Sequence, residues 1–187
     1  MSRENIEKLK VDELVLDNFN PRLPKSLHGE ENEEKIVEYM LAFGNITELM
    51  QSIVETGYSD AEPLLVIKDQ NSEKYVVIEG NRRLTALKLL NNPKTAKTKT
   101  SAINEIVESA AGKIPTTVPC IVYENRDEIL DYLGYRHITG VKDWGALEKA
   151  NYLDLLYKKH VKDSEKDIYK KLAKMIGSKA DYVKKLI

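Results

Sequence analysis

The run Val76-Val77-Ile78-Glu79-Gly80-Asn81-Arg82-Arg83-Leu84-Thr85-Ala86-Leu87 constrains this chain more than any other segment. Branched residues at 76–78 favour an extended strand, and a glycine stops them. A helix over 82–90 follows at once, with Leu84, Leu87 and Leu90 on one face. The corner therefore joins a strand end to a helix start, where backbone N–H groups lack partners and carry partial positive charge. Such a start suits a phosphate. Gly80 lets the backbone approach a ligand, and Arg82 or Arg83 can grip phosphate oxygens in pairs. Physics alone leaves a second reading open, in which Asn81 only caps the helix and the arginines pair with Glu79 and other acids.

The rest of the chain reads as a succession of short elements. Residues 11–16 look like a strand leading into the turn Asn18-Phe19-Asn20-Pro21-Arg22, since Pro21 disfavours helix at Asn20. Helices are expected over 31–43, with Ile36, Val37, Met40 and Leu41 at helical spacing, and over 46–56, with the stripe Ile46, Leu49, Met50, Ile53 and Val54, Asn45 or Thr47 as cap and Gly57 as stop. A hairpin follows over 64–68 and 74–79, turning at Asp69-Gln70-Asn71-Ser72. Beyond the corner, the lysine-threonine stretch 94–100 reads as a mobile loop, 101–111 as a helix and 118–123 as a strand. A short helix over 127–133, a loop over 134–143 and a helix carrying Leu147, Ala150, Leu153, Leu156 and Tyr157 come next.

Several classes are excluded by what is missing. The longest apolar runs, such as residues 63–67, fall far below the roughly 20 residues that cross a bilayer, and the N-terminus lacks a secretory core. One cysteine, Cys120, permits no internal disulfide and fits a buried strand residue better than a nucleophile. His28, His137 and His160 are scattered without ligand spacing, so no metal site is expected. A cytoplasmic protein without membrane contact is the expectation. Charge is uneven: residues 1–62 sum to −8, while residues 158–187 hold 10 lysines and 4 acids. A polyanion would be met by the second half.

That second half ends in Leu172-Ala173-Lys174-Met175-Ile176-Gly177-Ser178-Lys179-Ala180-Asp181-Tyr182-Val183. Ala173, Gly177 and Val183 fit the helix-turn-helix template: a small residue where two helices cross, a glycine at the turn, a branched residue between them. DNA contacts are then expected from Ser178, Lys179, Asp181, Tyr182, Lys184 and Lys185. The alternative is a helical hairpin with solvated lysines. A second helix of about eight residues is marginal alone, so further helices are expected after Ile187.

The corner residues 79–87 resemble the Gly-Glu-Arg-Arg box of the ParB/sulfiredoxin superfamily. Residues 14–22 are similar to that family's opening strand and Asn-Pro-Arg element. Leu49, Ser52, Ile53 and Gly57 match its Leu-x-x-Ser-Ile-x-x-x-Gly helix, and Glu62-Pro63-Leu64 stands where it has Gln-Pro-Ile. The resemblance implies an α+β fold: a small mixed sheet with flanking helices over residues 1–124, then an all-helical linker and partial helix-turn-helix over 125–187. It implies phosphates held by Gly80, Asn81, Arg82 and Arg83, with Arg22 closing from the opposite wall. It also implies CTP or ATP, with Mg²⁺ as a companion, and DNA and a homodimer as partners. Nucleoside triphosphatase activity (a CTPase or ATPase) belongs to the same implication, with Glu79 the one carboxylate placed for catalysis. Departures are Asn81 where ParB proteins carry Glu, and the absence of a Glu-Asn-x-x-Arg element. In that element's place stand Arg136, His137 and Lys142, either a second phosphate wall or an exposed basic loop. Rival readings within the superfamily are a kinase of free serine, a ParB-like nuclease and a scaffold that binds no nucleotide.

Overall fold

The computed structural model describes residues 6–134, 145–161, 168–175 and 180–187. The chain divides into two compact units, Met1–Glu124 and Asn125–Ile187.

The first unit is α+β. Five strands form one mixed sheet: β1 (Ile6–Lys10), β2 (Leu14–Leu16), β3 (Leu64–Lys68), β4 (Tyr75–Glu79) and β5 (Thr117–Tyr123). Their spatial order is β1-β5-β3-β4-β2. β1 is antiparallel to β5 and β3 to β4, while β3 runs parallel to β5 and β2 parallel to β4. Helices α1 (Glu33–Phe43), α2 (Ile46–Thr56), α3 (Asn81–Asn91) and α4 (Thr100–Ser109) complete the unit.

α3 is the centre of the core. Leu84, Thr85, Ala86, Leu87, Leu89 and Leu90 are all buried, so the helix is covered on more than the single leucine face that the sequence suggested. It is packed by β2, β4, α1, α2 and α4, and a helix so enclosed buries even its threonine. Thr85 keeps its hydroxyl satisfied by donating to Asn81 O (2.9 Å). Around α3 lie Ile36, Val37, Met40 and Leu41 of α1 and Ile46, Met50 and Ile53 of α2, the apolar stripes predicted for both helices.

Three local expectations need correction. Residues 11–16 are not one strand: Val11–Glu13 form a 3₁₀ turn and only Leu14–Leu16 pair, while the strand Ile6–Lys10 went unpredicted. β1 is an exposed edge with no buried residue, so it carries no apolar alternation to read. The loop 94–100 is strapped down, not loose. The Glu38 carboxylate accepts Lys97 N (2.6 Å), Thr98 N (3.3 Å) and Thr98 Oγ1 (2.7 Å). Asn45 occupies the α2 cap position but in left-handed conformation, φ 49°, with no side-chain cap bond.

The second unit is helical: α5 (Arg126–Gly134), α6 (Ala146–His160), α7 (Ile168–Met175) and α8 (Ala180–Leu186). α6 buries Asn151, Tyr152, Leu153 and Leu156, whereas Leu147 in its first turn is half exposed, contrary to the apolar stripe read for it. α7 packs on α8 with Leu172, Ala173 and Val183 buried. Gly177 lies outside the described residues. Among the described residues no helix is long and apolar enough to cross a membrane.

Candidate functional site

The site is built on the β4–α3 corner. Ile78 is an extra residue in β4, since Leu65 faces Glu79 while Val66 faces Val77. Such a bulge bends the strand end just before the helix begins. Gly80 makes the turn at φ +105°, ψ 16°, a left-handed backbone that residues with a β-carbon rarely adopt. A β-carbon there would also run into Leu64, which is fully buried. Gly80 O accepts the Leu84 N–H (2.9 Å), the first bond of the helix. The N–H groups of Asn81, Arg82 and Arg83 precede it and have no intrahelical carbonyl to meet, so this end of α3 carries partial positive charge.

Asn81 is the bracket of the corner. Its side chain is buried, with Nδ2 donating to Val77 O (2.7 Å) and Ile78 O (3.3 Å). Its Oδ1 accepts the Asp17 N–H (2.9 Å), which ties the loop after β2 to the start of α3. That loop is locked from within. The buried Asp17 accepts Phe19 N on Oδ1 (2.9 Å), and Asn20 Oδ1 accepts Arg22 N (2.8 Å). These side-chain-to-backbone turns are what Asp and Asn offer a tight loop. Arg22, half-buried, has its backbone fixed by this chain of bonds.

The two box arginines have different employment. Arg82 donates Nε to Gly44 O (2.6 Å), at the turn between α1 and α2. Its pKa is lowered by burial first and next by the like charge of Arg22, with Glu48 opposing. Arg22 thus brings a second positive charge near Arg82 and the positive end of α3. Arg83 instead donates to Tyr58 Oη (3.2 Å) and to Glu62 O, and lies 3.5 Å from the Glu62 carboxylate. With its side chain 13% exposed, it braces the lead-in to β3.

Tyr58 completes that brace by donating Oη to Glu62 O (2.9 Å). Burial pushes its phenol up to about 12, with Arg83 opposing. The ordinary phenol value is about 10, so between these values the unfolded chain releases a proton that the folded protein keeps. Stability is therefore expected to fall as pH rises from about 10 towards 12, by on the order of 2 kcal/mol. Tyr58→Phe should flatten this alkaline loss in chemical denaturation curves; parallel slopes for both proteins above pH 10 would refute it.

Of the residues expected to bind phosphate, the structure brings together Arg22, Gly80, Asn81 and Arg82. Asn81 can offer only its backbone N–H, because its side chain holds the frame, and Arg83 likewise serves the frame. Glu79 is half-buried at the end of β4 beside the corner. Arg136, His137 and Lys142 lie outside the described residues, as do Ser178 and Lys179 of the DNA set. Asp181, Tyr182, Lys184 and Lys185 are exposed on α8. Sequence reasoning missed Gly44, Glu48 and Tyr58, none of which belongs to a motif, and it gave Glu62 of the Glu62-Pro63-Leu64 element no part in the site. A cavity of about 550 Å³ near the other end of α3, lined by Lys10, Asp12, Glu33, Lys88 and Asn91 among others, contains none of the expected residues.

The sequence model of the ParB N-terminal domain matches residues 1–110. Among solved structures, the chain is similar to the C-terminally truncated chromosome-partitioning protein ParB from Caulobacter crescentus complexed with CTP-gamma-S. The two share 20% identity over 97% of this chain and 76% of that one, with a TM-score of 0.42. The same truncated ParB complexed to the centromeric parS site matches at 19% identity over 96% of this chain and 69% of that one, TM-score 0.44. No curated protein matches the chain.

Proposed function

Because the chain belongs to the family of the ParB N-terminal domain, we propose that it is a cytoplasmic, nucleotide-binding protein of ParB type that acts on DNA. The first unit holds the triphosphate and the second supplies the DNA contacts. Phosphate oxygens lie on the N–H groups opening α3, Gly80 permits the approach, and Arg22 and Arg82 close on them from two sides. CTP is the first nucleotide to test, since a ParB of this family has been captured with its thio analogue; ATP is the second. For DNA the support is the α7–α8 pair, whose buried Ala173 and Val183 suit closely crossed helices, and the exposed Lys184 and Lys185 of α8.

One observation carries the nucleotide reading: α3 opens at the left-handed Gly80 with Arg82 held by Gly44 O (2.6 Å), and Arg22 lies near enough for its like charge to disfavour the charged form of Arg82. An anion between them removes that repulsion and gains charge-assisted hydrogen bonds from both. Thermal-shift titration with CTP, ATP and GTP, with and without Mg²⁺, tests it. At a hundredfold excess over Kd a ligand adds about 2.7 kcal/mol, enough to move Tm by roughly 5–10 °C in a chain of this size. Arg82→Ala is expected to weaken binding about 30-fold or more and to abolish most of the shift. If no triphosphate stabilises the wild type, or if Arg82→Ala responds equally, the reading fails.

A further inference from the structure

The last turn of a helix leaves carbonyl groups without intrahelical donors and carries partial negative charge. At the end of α1, two of these carbonyls hold cations. Leu41 O accepts the Lys99 ammonium (2.9 Å), and Gly44 O accepts Arg82 Nε (2.6 Å). Three residues advance about 4.5 Å along a helix, so the two carbonyls that hold these cations lie within one turn at the same helix end. Lys99 reaches this shelf from the loop before α4, which Glu38 holds through its bonds to residues 97 and 98. The Lys97 ammonium, 2.7 Å from the Glu34 carboxylate, fastens the same loop to α1.

A carboxylate attends the pair. Glu48, in the first turn of α2, accepts from Thr47 Oγ1 (3.1 Å). Its own backbone N–H and Thr47 hold its carboxyl below the ordinary carboxylate range, and Lys99 and Arg82 add to the effect. The exposed Glu48 thus supplies negative charge to the same two cations that an incoming phosphate would meet.

From this placement we propose that Lys99 is a third cation of the phosphate site, gripping the polyphosphate beside Arg82 and Arg22. The inference deepens the nucleotide reading and rests on it for the identity of the ligand, but not for its charge. Lys99 belongs to no motif and comes from the lysine-threonine loop.

Isothermal titration on the whole 187-residue chain, with CTP, CMP and inorganic tripolyphosphate, tests it. The proteins are wild type, Lys99→Gln, Lys99→Arg and, as a charge control on the same loop, Lys94→Gln. Lys99→Gln is expected to weaken CTP and tripolyphosphate about tenfold but CMP less than about twofold, because the contact is to phosphates beyond the first. Lys99→Arg should retain most of the affinity and Lys94→Gln nearly all of it. Unchanged CTP and tripolyphosphate binding in Lys99→Gln overturns the proposal while leaving the nucleotide reading intact. So does an equal loss for CTP and CMP, which would mark a purely structural role, and so does an Arg variant as weak as the Gln one. Tripolyphosphate binding that depends on Lys99 without any nucleotide binding would keep the cation site and defeat the nucleotide reading. If wild type binds neither ligand, both fall.

Discussion

Replacing Asn81 with aspartate, a change that keeps the side chain's shape, is expected to lower the unfolding free energy by about 3 kcal/mol at neutral pH. The side chain is 3% exposed and donates to two carbonyls, Val77 O and Ile78 O. A carboxylate has no proton for either. It would sit buried against two carbonyl oxygens, with the Asp17 carboxyl on the neighbouring loop, and keep only the Asp17 N–H as a donor. Burial, the two carbonyl oxygens and the Asp17 carboxyl disfavour ionisation and outweigh the one N–H donor, so the new carboxyl should titrate above its ordinary value of about 3.9. The sign of the pH effect follows. Protonated, the new acid can donate to Val77 O and recover part of the loss. As pH rises from about 3.9 towards the raised folded value, the unfolded chain has released a proton that the folded one keeps, and stability drops. Urea denaturation at pH 5, 7 and 8 should show the gap to wild type widening with pH. A gap under about 1 kcal/mol that ignores pH would show that Asn81 does not bracket the corner. The same bonds explain the departure from the family's box: here the position is tied to backbone on both sides, and a glutamate could not make those donations.

Gly80→Ala is the second large effect. The backbone at φ +105° disfavours any β-carbon by roughly 1–2 kcal/mol. Leu64, which the new methyl would strike, is fully buried, so overpacking adds about 1–3 kcal/mol more. A total loss of about 2–5 kcal/mol in chemical denaturation is expected, together with loss of the CTP-dependent thermal shift, because the α3 N–H groups and Arg82 are aimed from this residue. Alanine tolerated with less than about 0.5 kcal/mol lost would mean that the corner can adopt another backbone.

How much was legible depended on whether a residue's role is local. The hairpin of β3 and β4, the stripes of α1 and α2 and the burial of Cys120 could be read from spacing, because one-face burial imposes a period on the chain. β1 could not be read, since an exposed edge strand imposes none. The fixed loop 94–100 could not be read either, because what fixes it is Glu38, some sixty residues away. Within the box, sequence alone gave Arg82 and Arg83 the same expected task. Their neighbours separated them: Gly44 O and the charge of Arg22 for one, Tyr58 and Glu62 for the other.

The sequence by itself determined where the chain turns from strand to helix, because a glycine between a branched run and a leucine-spaced run admits little else. It also determined that cations follow that turn. Only the tertiary structure decided which partner each of those cations meets. Hydrogen-bond partners and like charges act over a few ångströms of space, whatever the distance along the chain, and no local period or motif records which carbonyl will stand opposite a given guanidinium.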